Sequence, residues 1–532
     1  MRRVYFVIVA AALVLGLGTT ACSKPEPEKK QEEQKKDPTP TPTPTPTPAE
    51  DEKPAGYDEA TCRAVNYFMR NAFGVFYLWE SECADNLKKW AMTDNPKDGY
   101  EKYKYKDDRW GFVRDDYDYV SAVFDGEDKT NGMSGSLIRY NPGGKLPADT
   151  LSYIVEYVYK GSPAERAGLR RGALITKFNG KAYLYTGKET QADIDKINET
   201  FNNIFSAEEA TFTLAGSGKT VKLTSVVMYC DPILKSKVFD FGGKKVGYLC
   251  FNAFDMESID SLHSVFKDFK SQGVSELIMD LRYNGGGYVV TEVFLASMIA
   301  PESVVKNKEV FTQTVYNKAL TGVWGGEDSY TRFTTKDSFE VSKKKYSYDI
   351  TNDILSPKKM YVIYTGDSAS ASEALVVGLK PYMDISIFGE QSYGKYSSCT
   401  LLSGKSWYDT YKDDISGTYY DNGIKYASNW CCYVTFGRFA DKNGETGNYP
   451  NGFPIPTANQ VYDTPYDGYD FGDPEETMLA KVLESAGYVS PKSASNSRAG
   501  DFKEVEGLNR KGDDYGLNIL LPSQLRKAPL VE

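Results

Sequence analysis

The sequence predicts a multidomain α/β protein, and three observations support this fold class. The chain has 532 residues, which is long for one domain and suits two or three folded units. From about residue 130 to residue 228 short strand-like segments dominate. From residue 244 onward apolar strands alternate with helices, which indicates a layered α/β unit with mostly buried strands. We therefore expect a small helical unit, a β-rich unit and an α/β core, in that order.

Composition limits the partners and the chemistry that the chain can use. Hydrophobic residues make up 41% and charged residues 26% of the chain, which suits a folded globular body. The net charge of −10 disfavours a nucleic-acid partner, because phosphate binding needs a basic surface. The cysteines other than Cys22 show no paired spacing typical of a metal site. We expect no metal, no cofactor and no nucleic acid.

The first 55 residues predict export and attachment to a membrane. Arg2 and Arg3 precede a short apolar run that ends in small residues before Cys22. Residues 1–21 thus resemble the signal peptide of a bacterial lipoprotein, in which Cys22 is acylated. A plain signal peptide with an incidental cysteine is the alternative. Residues 22–55 include PTPTPTPTP and predict a disordered, extended tether. We therefore expect a lipid-anchored cell-envelope protein. Because no Asp directly follows Cys22, the outer membrane is preferred, on its periplasmic or its surface face.

Two units are expected between the tether and the core. Residues 56–128 predict an N-terminal helical domain, because apolar residues from Val65 to Phe76 recur at helical spacing. Residues 129–228 predict a β-rich domain with one long helix near residues 190–205. Within it, YKGSPAERAGLRRGALITKFNG resembles the central signature of PDZ domains of the bacterial protease type. The resemblance implies a groove that accepts the C-terminus of a polypeptide as an added strand.

The same resemblance implies a carboxylate-binding loop ahead of the strand SLIRY. The sequence Gly132-Met133-Ser134-Gly135 stands at that place. Met133, Ser134 and Gly135 are therefore candidate peptide-binding residues, and a simple turn is the alternative.

Residues 229–488 contain the strands and helices of the expected core. The predicted strands are KVGYLCF, ELIMDLR, KMYVIYT and ISIFGE, and the predicted helices cover residues 258–272, 289–299 and 372–379. Residues 306–350 and 403–430 suggest polar, tyrosine-rich insertions on this core. Residues 489–532 form a C-terminal tail.

The stretch GDSASASEALVVG places three serines between a predicted strand and a predicted helix. A strand–turn–helix lifts a side chain to the end of a sheet and aims helix N–H groups at it, so Ser370 is a candidate nucleophile. The alternative is that Ser370 and Glu373 form a capping box that serves the helix alone. If Ser370 is the nucleophile, Asp367 or Ser368 becomes the expected helix cap.

A serine nucleophile needs a group that accepts its proton. The chain has one histidine, His263, which lies on the flank of a predicted amphipathic helix and suggests an exposed helical residue. A lysine can serve instead where burial keeps its amine neutral. Lys395 follows the apolar strand ISIFGE and is the candidate base.

Together, SASASE, FGEQSYGK and DLRYNGGG resemble the S41 family of serine peptidases, the C-terminal-processing or tail-specific proteases. The resemblance implies a crotonase/ClpP-like core and an endopeptidase in which Ser370 is the nucleophile and Lys395 the general base. It also implies an oxyanion hole formed by the N–H of Ala371 and by Gly285 or Gly286. The implied partners are polypeptides with accessible C-termini.

Two positions depart from the family pattern. Many members carry Gln four residues after the lysine, where this chain has Cys399, and some carry Asp where it has Pro381. The lysine then needs another orienting group, such as Ser397, Ser398 or a tyrosine hydroxyl. The departures keep open a catalytically weak or inactive peptide- or ligand-binding protein on the same fold. A tyrosine-rich surface that binds glycans is a further alternative.

Overall fold

The computed structural model of the chain describes most residues after the predicted tether. These are 56–146, 148–185, 207–341, 344–445, 451–489 and 502–503, together with 192, 197, 200, 201, 204 and 205. The predicted signal peptide, the lipidation site Cys22, the whole predicted tether and most of the predicted tail lie outside the described residues. Within these ranges, no helix has the length and apolar character needed to cross a membrane.

The N-terminal residues pack onto the core. They form helices α1 (Glu59–Phe76), α2 (Ala84–Lys88), α3 (Pro96–Tyr103) and α4 (Tyr117–Phe124) and strand β1 (Phe112–Arg114). Helix α1 begins after Asp58, whose carboxylate accepts a hydrogen bond from the N–H of Thr61 at 2.8 Å. Side chains of α1, such as Phe68 and Phe73, belong to the same hydrophobic cluster as the core strands. The predicted helices are present, but they share one hydrophobic core with the α/β part of the chain.

The β-rich domain is built on an antiparallel sheet. Its elements are β2 (Glu127–Thr130), β3 (Met133–Tyr140), β4 (Asp149–Val158), α5 (Pro163–Arg166), β5 (Leu174–Phe178), β6 (Tyr183–Tyr185), β7 (Glu209–Leu214), β8 (Thr220–Thr224) and β9 (Val226–Tyr229). The sheet runs β3-β4-β5-β7-β8, with β6 beside β4 and a short C-terminal strand outside β3. A separate cluster of buried side chains, which includes Val155 and Phe212, fills its interior. The described residues between 192 and 205 are helical, as predicted.

The core contains the remaining strands and helices. The strands are β10 (Ile233–Phe241), β11 (Lys244–Phe251), β12 (Glu276–Asp280), β13 (Val310–Tyr316), β14 (Tyr330–Arg332), β15 (Lys336–Val341), β16 (Lys344–Asp349), β17 (Lys359–Tyr364), β18 (Asp384–Gly389), β19 (Ser397–Ser403) and β20 (Cys431–Ala440). Strand β21 (Phe502–Lys503), in the tail, is the short strand outside β3 of the β-rich sheet. The helices are α6 (Ser258–Gln272), α7 (Val289–Ile299), α8 (Glu302–Lys306), α9 (Lys318–Trp324), α10 (Ala371–Leu379), α11 (Gly404–Thr410), α12 (Gly417–Ala427) and α13 (Thr477–Ser485).

The central sheet of the core is mostly parallel. Strands β11, β12, β17 and β18 are parallel neighbours, and β10 lies antiparallel at the outer edge. Every residue of β12 is buried, as expected for a parallel strand covered on both faces. The predicted strands and helices of this sheet agree with the structure to within about two residues.

A second, antiparallel sheet explains the two stretches predicted to be polar insertions. Its order is β1-β20-β13-β14, with β19 also paired to β20, so β13 is part of the core. Helix α11 likewise buries Trp407 and Tyr408 completely against the N-terminal helices. The Tyr408 hydroxyl donates to the carbonyl of Ala64 at 2.8 Å, which satisfies its polar atom in the interior. The prediction of polar insertions is wrong for β13 and α11, because β13 pairs within the second sheet and α11 buries two aromatic rings.

A buried network of charges joins the β-rich domain to the end of β12. The Arg171 side chain is 1% exposed and lies 2.5 Å from an oxygen of Asp463 and 3.5 Å from one of Glu476. Arg282, immediately after β12, lies 2.9 Å and 2.7 Å from the same two carboxylates. Burial raises the pKa of the Asp463 carboxyl, but the positive charges of Arg171 and Arg282 outweigh burial and bring this pKa below its usual range. The network fixes the backbone from which the glycine-rich segment 285–287 continues.

Replacing Arg171 by Met would leave two buried carboxylates with one cation fewer. We expect Arg171→Met to lower the free energy of unfolding by about 3 kcal/mol, as is typical when one member of a buried ion pair is removed. Urea denaturation followed by circular dichroism measures this loss. The adjacent Arg170 is exposed, so Arg170→Met is the matched control. Equal effects of the two substitutions would contradict the role given to the network.

Candidate active site

The three serines of GDSASAS occupy the turn between β17 and α10, as predicted. Ser368 and Ser372 are fully buried, and their hydroxyls donate to backbone carbonyls of the segment after β12, Leu281 at 2.7 Å and Asn284 at 2.9 Å. Ser370 is 8% exposed. Among the three serines, only Ser370 keeps contact with solvent, whereas its two neighbours hold the turn against the adjoining loop.

Ser370 has an unusual backbone conformation. Its φ of 57° and ψ of −114° are rare for a residue with a side chain and cost free energy unless the surroundings impose them. Ser370 is also the N-cap of α10 and forms a capping box with Glu373. The cap and the candidate nucleophile are therefore the same residue. The expectation that Asp367 or Ser368 caps the helix is wrong, because the Ser368 hydroxyl bonds Leu281 and accepts from Thr365 N–H at 3.0 Å.

The glycine-rich segment lies against Ser370 and the start of α10. Gly286 has a φ of 111°, and a Cβ there would lie 2.8 Å from Ser370 Cβ and 3.1 Å from Ala371 N, so only glycine fits. Its N–H donates to Asn284 Oδ1 at 2.9 Å and would have to leave that oxygen before it could serve an oxyanion. The N–H of Ala371 has no acceptor within the described part of the chain. The roles of Gly285 and Ala371 stay predictions.

Lys395 lies in the loop between β18 and β19 and is fully buried. This loop is bonded directly to the serine turn, because the Tyr393 N–H donates to the Ser368 carbonyl at 2.9 Å. Lys395 Nζ lies 3.4 Å from the Tyr433 hydroxyl and 5.1 Å from the centroid of its ring. The Tyr433 ring is buried in β20 and stacks on Phe112 of β1 at 5.1 Å. The second sheet thus places a tyrosine beside the candidate base.

One carboxylate, that of Glu373, joins the serine turn to the lysine loop. It accepts hydrogen bonds from the Ser370 N–H at 3.1 Å, the Ser392 hydroxyl at 2.6 Å and the Gly394 N–H at 2.9 Å. Burial raises the pKa of the Glu373 carboxyl, and hydrogen bonds from Ser392 and the backbone, including Lys395, act in the opposite direction. Glu373 therefore fixes the segments that carry Ser370 and Lys395 relative to each other.

The two residues at which the chain departs from the family pattern are Cys399, which lies in β19, and Pro381. Cys399 Sγ lies 3.4 Å from Thr435 Oγ1 and 3.8 Å from Ser397 Oγ. Of the orienting groups considered from the sequence, a tyrosine hydroxyl is the one that the structure places at Lys395. Pro381 lies in the turn after α10. His263 lies on α6, where its Nε2 is 2.9 Å from Asp353 Oδ2, as fits the helical surface residue predicted from the sequence.

Met133, Ser134 and Gly135 form the beginning of β3. The Met133 N–H donates to Asn131 Oδ1 at 3.1 Å, and the register between β3 and β4 shifts between Ser134 and Gly135. A Cβ at Gly135 would lie 2.0 Å from the carbonyl oxygen of Ile154, so the strands approach closely here. The segment is a tightly built strand start, and its peptide-binding role stays a prediction.

Sequence reasoning missed three residues of this site. Glu373 was considered only as a partner in a helix cap, and Ser392 and Tyr433 were not singled out. Ser392 stands three residues before Lys395, so its proximity in the chain was a usable signal. Tyr433 lies 38 residues beyond Lys395 and reaches it only through the pairing of β19 with β20.

Comparisons with known proteins match both the core and the β-rich domain to known families. Residues 245–406 match the model of peptidase family S41, and residues 154–195 match that of the PDZ domain. A Staphylococcus aureus (strain N315) protein named "Probable CtpA-like serine protease" is 25% identical over 325 residues, which cover 60% of this chain and 53% of that protein. A Staphylococcus saprophyticus protein of the same name is 24% identical over 237 residues, 44% of this chain and 40% of that protein. The chain thus matches about half the length, or less, of these curated relatives.

A solved structure supports the fold class. The crystal structure of a protein named "Putative S41 protease" from Bacteroides fragilis NCTC 9343 has a TM-score of 0.58 and 19% identity, and the match covers 80% of this chain and 98% of that chain. The predicted α/β multidomain fold, the PDZ match and the resemblance of the core to family S41 are confirmed.

The buried Glu373 is expected to make stability depend on pH. Burial raises the pKa of its carboxyl above 4.5, so the folded chain holds this proton more tightly than the unfolded chain. The free energy of unfolding should therefore fall as pH rises from about 4.5 through the raised pKa, by at most about 1.4 kcal/mol per pH unit. Glu373→Gln removes this component.

Urea unfolding at about pH 5 and about pH 7.5 measures the slope. Exposed Glu484 supplies the control, because Glu484→Gln should keep the slope of the unmodified chain. An unchanged slope in Glu373→Gln would show that this carboxyl does not titrate as described.

Proposed function

We propose that this chain, whose core matches peptidase family S41 and which carries a PDZ match before that core, is a serine endopeptidase with a Ser370–Lys395 dyad. The family matches and relatives named as serine proteases support the activity. One observation carries the choice of nucleophile. The hydroxyls of Ser368 and Ser372 donate hydrogen bonds to backbone carbonyls. Ser370, in contrast, keeps 8% of its surface exposed and lies on a strained turn at a helix N-terminus.

The proposed reaction passes through an acyl-enzyme. The amine of Lys395 accepts the hydroxyl proton of Ser370 as Oγ attacks a peptide carbonyl carbon. The N–H of Ala371, at the positive end of α10, and an N–H of the glycine-rich segment stabilise the oxyanion, with Gly285 the candidate whose N–H is not held by Asn284. Lys395 returns the proton to the leaving amine, and water then releases the acyl group.

Tyr433 takes the orienting role that Gln has in many members of the family. Its hydroxyl is 3.4 Å from Lys395 Nζ, and its ring cannot turn freely because it is fully buried and stacked on Phe112. Cys399, at the position of that Gln, contacts Thr435 and Ser397 and is a weak hydrogen-bonding partner. A hydroxyl from a neighbouring strand therefore compensates for the missing amide.

The substrate class and the location follow from the remaining sequence features. In the proposal, the β-rich domain selects polypeptide C-termini at the start of β3, through Met133, Ser134 and Gly135. A lipid on Cys22, after removal of residues 1–21, anchors the protein to the cell envelope, with the outer membrane preferred. The basic head, the short apolar run and the small residues before Cys22 support this anchor.

Alanine substitutions test the dyad. We expect Ser370→Ala and Lys395→Ala each to lower kcat/KM for an unfolded protein such as casein by at least about 10³-fold, because each removes a group that acts in bond making. The matched controls are Ser368→Ala and Ser372→Ala, which should lose about tenfold or less while the chain stays folded by circular dichroism. Equal turnover by Ser370→Ala, Lys395→Ala and the unmodified chain would instead favour a non-catalytic peptide-binding protein.

Removal of one hydroxyl tests Tyr433. Tyr433→Phe keeps the buried ring and removes the hydroxyl that contacts Lys395, so kcat should fall by about tenfold while KM changes little. Tyr408→Phe is the matched control, because it deletes another buried, hydrogen-bonded hydroxyl on a helix that packs against α1. Steady-state kinetics of both variants make the comparison. An equal loss of kcat in the two would assign the effect to stability.

A further inference from the structure

The outer edge of β3 is the open side of the β-rich sheet. Strand β4 covers one edge of β3 along its whole length, from Met133 paired with Val158 to Tyr140 paired with Thr150. On the other edge, residues Met133–Ile138 have no strand partner within the described part of the chain. An edge strand with unpaired N–H and C=O groups is a ready template for another extended segment.

A segment of the chain's own C-terminal tail occupies the end of this edge. Strand β21 pairs antiparallel with β3, with Phe502 opposite Tyr140 and Lys503 opposite Arg139. Residues 502–503 therefore lie antiparallel to β3, with the chain direction from Phe502 to Lys503 pointing toward Met133. An incoming polypeptide whose C-terminus points at the start of β3, residues 132–135, would lie in the same orientation and use the same edge.

The side chain of Phe502 fixes this strand by ring contacts on both sides. Its ring lies 5.4 Å from that of Tyr140 and stacks on Tyr466 at 4.3 Å with an interplanar angle of 16°. Tyr466 belongs to the core, in the turn Pro465–Asp467, whose Pro465 carbonyl approaches Gly172 of the β-rich domain. Phe502 thus contacts the edge of the β-rich sheet and the core together.

We propose that the tail segment at Phe502 is an internal ligand of the β3 edge, and that a polypeptide adding to this edge must displace it. Displacement exchanges the pairing of β21 for that of the polypeptide and releases the stacking between Phe502 and Tyr466. The occupancy itself rests on the strand pairing and the ring contacts. Its consequence for cleavage rests on the proposed peptidase function, because a bound tail would reduce the rate for substrates captured through this edge.

Amide hydrogen exchange tests occupancy without any need for hydrolysis. In the full chain carrying Ser370→Ala, we compare exchange over Ile138–Tyr140 with that in the same chain carrying Phe502→Ala. The loss of ring contacts should release β21 and speed exchange there by about tenfold, as expected when a local strand opens. Phe502→Tyr keeps the ring and is the matched control. Unchanged exchange in Phe502→Ala, with exchange also unchanged in a chain ended at residue 500, would overturn the proposal.

Binding of the tail sequence in trans tests competition. The probe is the labelled peptide AGDFKEVEGL, residues 499–508, added to the Ser370→Ala chain ended at residue 500 and to the full Ser370→Ala chain. We expect fluorescence anisotropy to give an affinity at least about tenfold higher for the shortened chain, because the linked tail competes at high effective concentration. Equal affinity for the two chains would contradict occupancy. Neither readout depends on catalysis, so failure of the peptidase proposal would remain distinguishable.

Discussion

The buried carboxylate of Glu373 is the interaction on which the candidate site depends. It is the third residue of α10, and it accepts from the Ser370 N–H that precedes the helix and from Ser392 and Gly394 of the lysine loop. Without this carboxylate, the Ser370 N–H and the two donors of the lysine loop, the Ser392 hydroxyl and the Gly394 N–H, would lack a shared acceptor. Hydrogen bonds from Ser392 and the backbone offset part of its desolvation, and burial still raises the pKa of the carboxyl. A residue that looks like a routine helix cap therefore holds two segments together.

The rest of the molecule supports the serine turn from two directions. The buried charge network, formed by Arg171, Arg282, Asp463 and Glu476, fixes the end of β12. The segment that follows β12 supplies the backbone carbonyls that accept hydrogen bonds from the hydroxyls of Ser368 and Ser372. The antiparallel sheet brings Tyr433 to Lys395 from the opposite side. The first support involves the β-rich domain and the second the N-terminal residues, so segments far apart in sequence converge on one site.

Local patterns were sufficient to predict most elements of the core, and strand and helix periodicity placed α6 and α7 at their observed bounds. The choice of Ser370 and Lys395 came from the resemblance of SASASE and FGEQSYGK to family S41, because the local pattern alone also fits a helix cap, and their roles stay predictions. The contact between Tyr433 and Lys395 could not be predicted, because it depends on the register of β19 with β20. Burial of Trp407 and Tyr408 was missed for a related reason, since a polar, aromatic composition does not reveal which long-range surface will cover the rings.

The position of a covalent adduct tests most directly whether Ser370 is the nucleophile and Lys395 its base. The chain is treated with a fluorophosphonate, which reacts with an activated serine hydroxyl, and the labelled residue is located by mass spectrometry of its fragments. We expect one adduct, on Ser370. In Lys395→Ala this adduct should form at least about tenfold more slowly, because the base is lost. Labelling of Ser368 or Ser372 in place of Ser370, or equal labelling in Lys395→Ala, would contradict it.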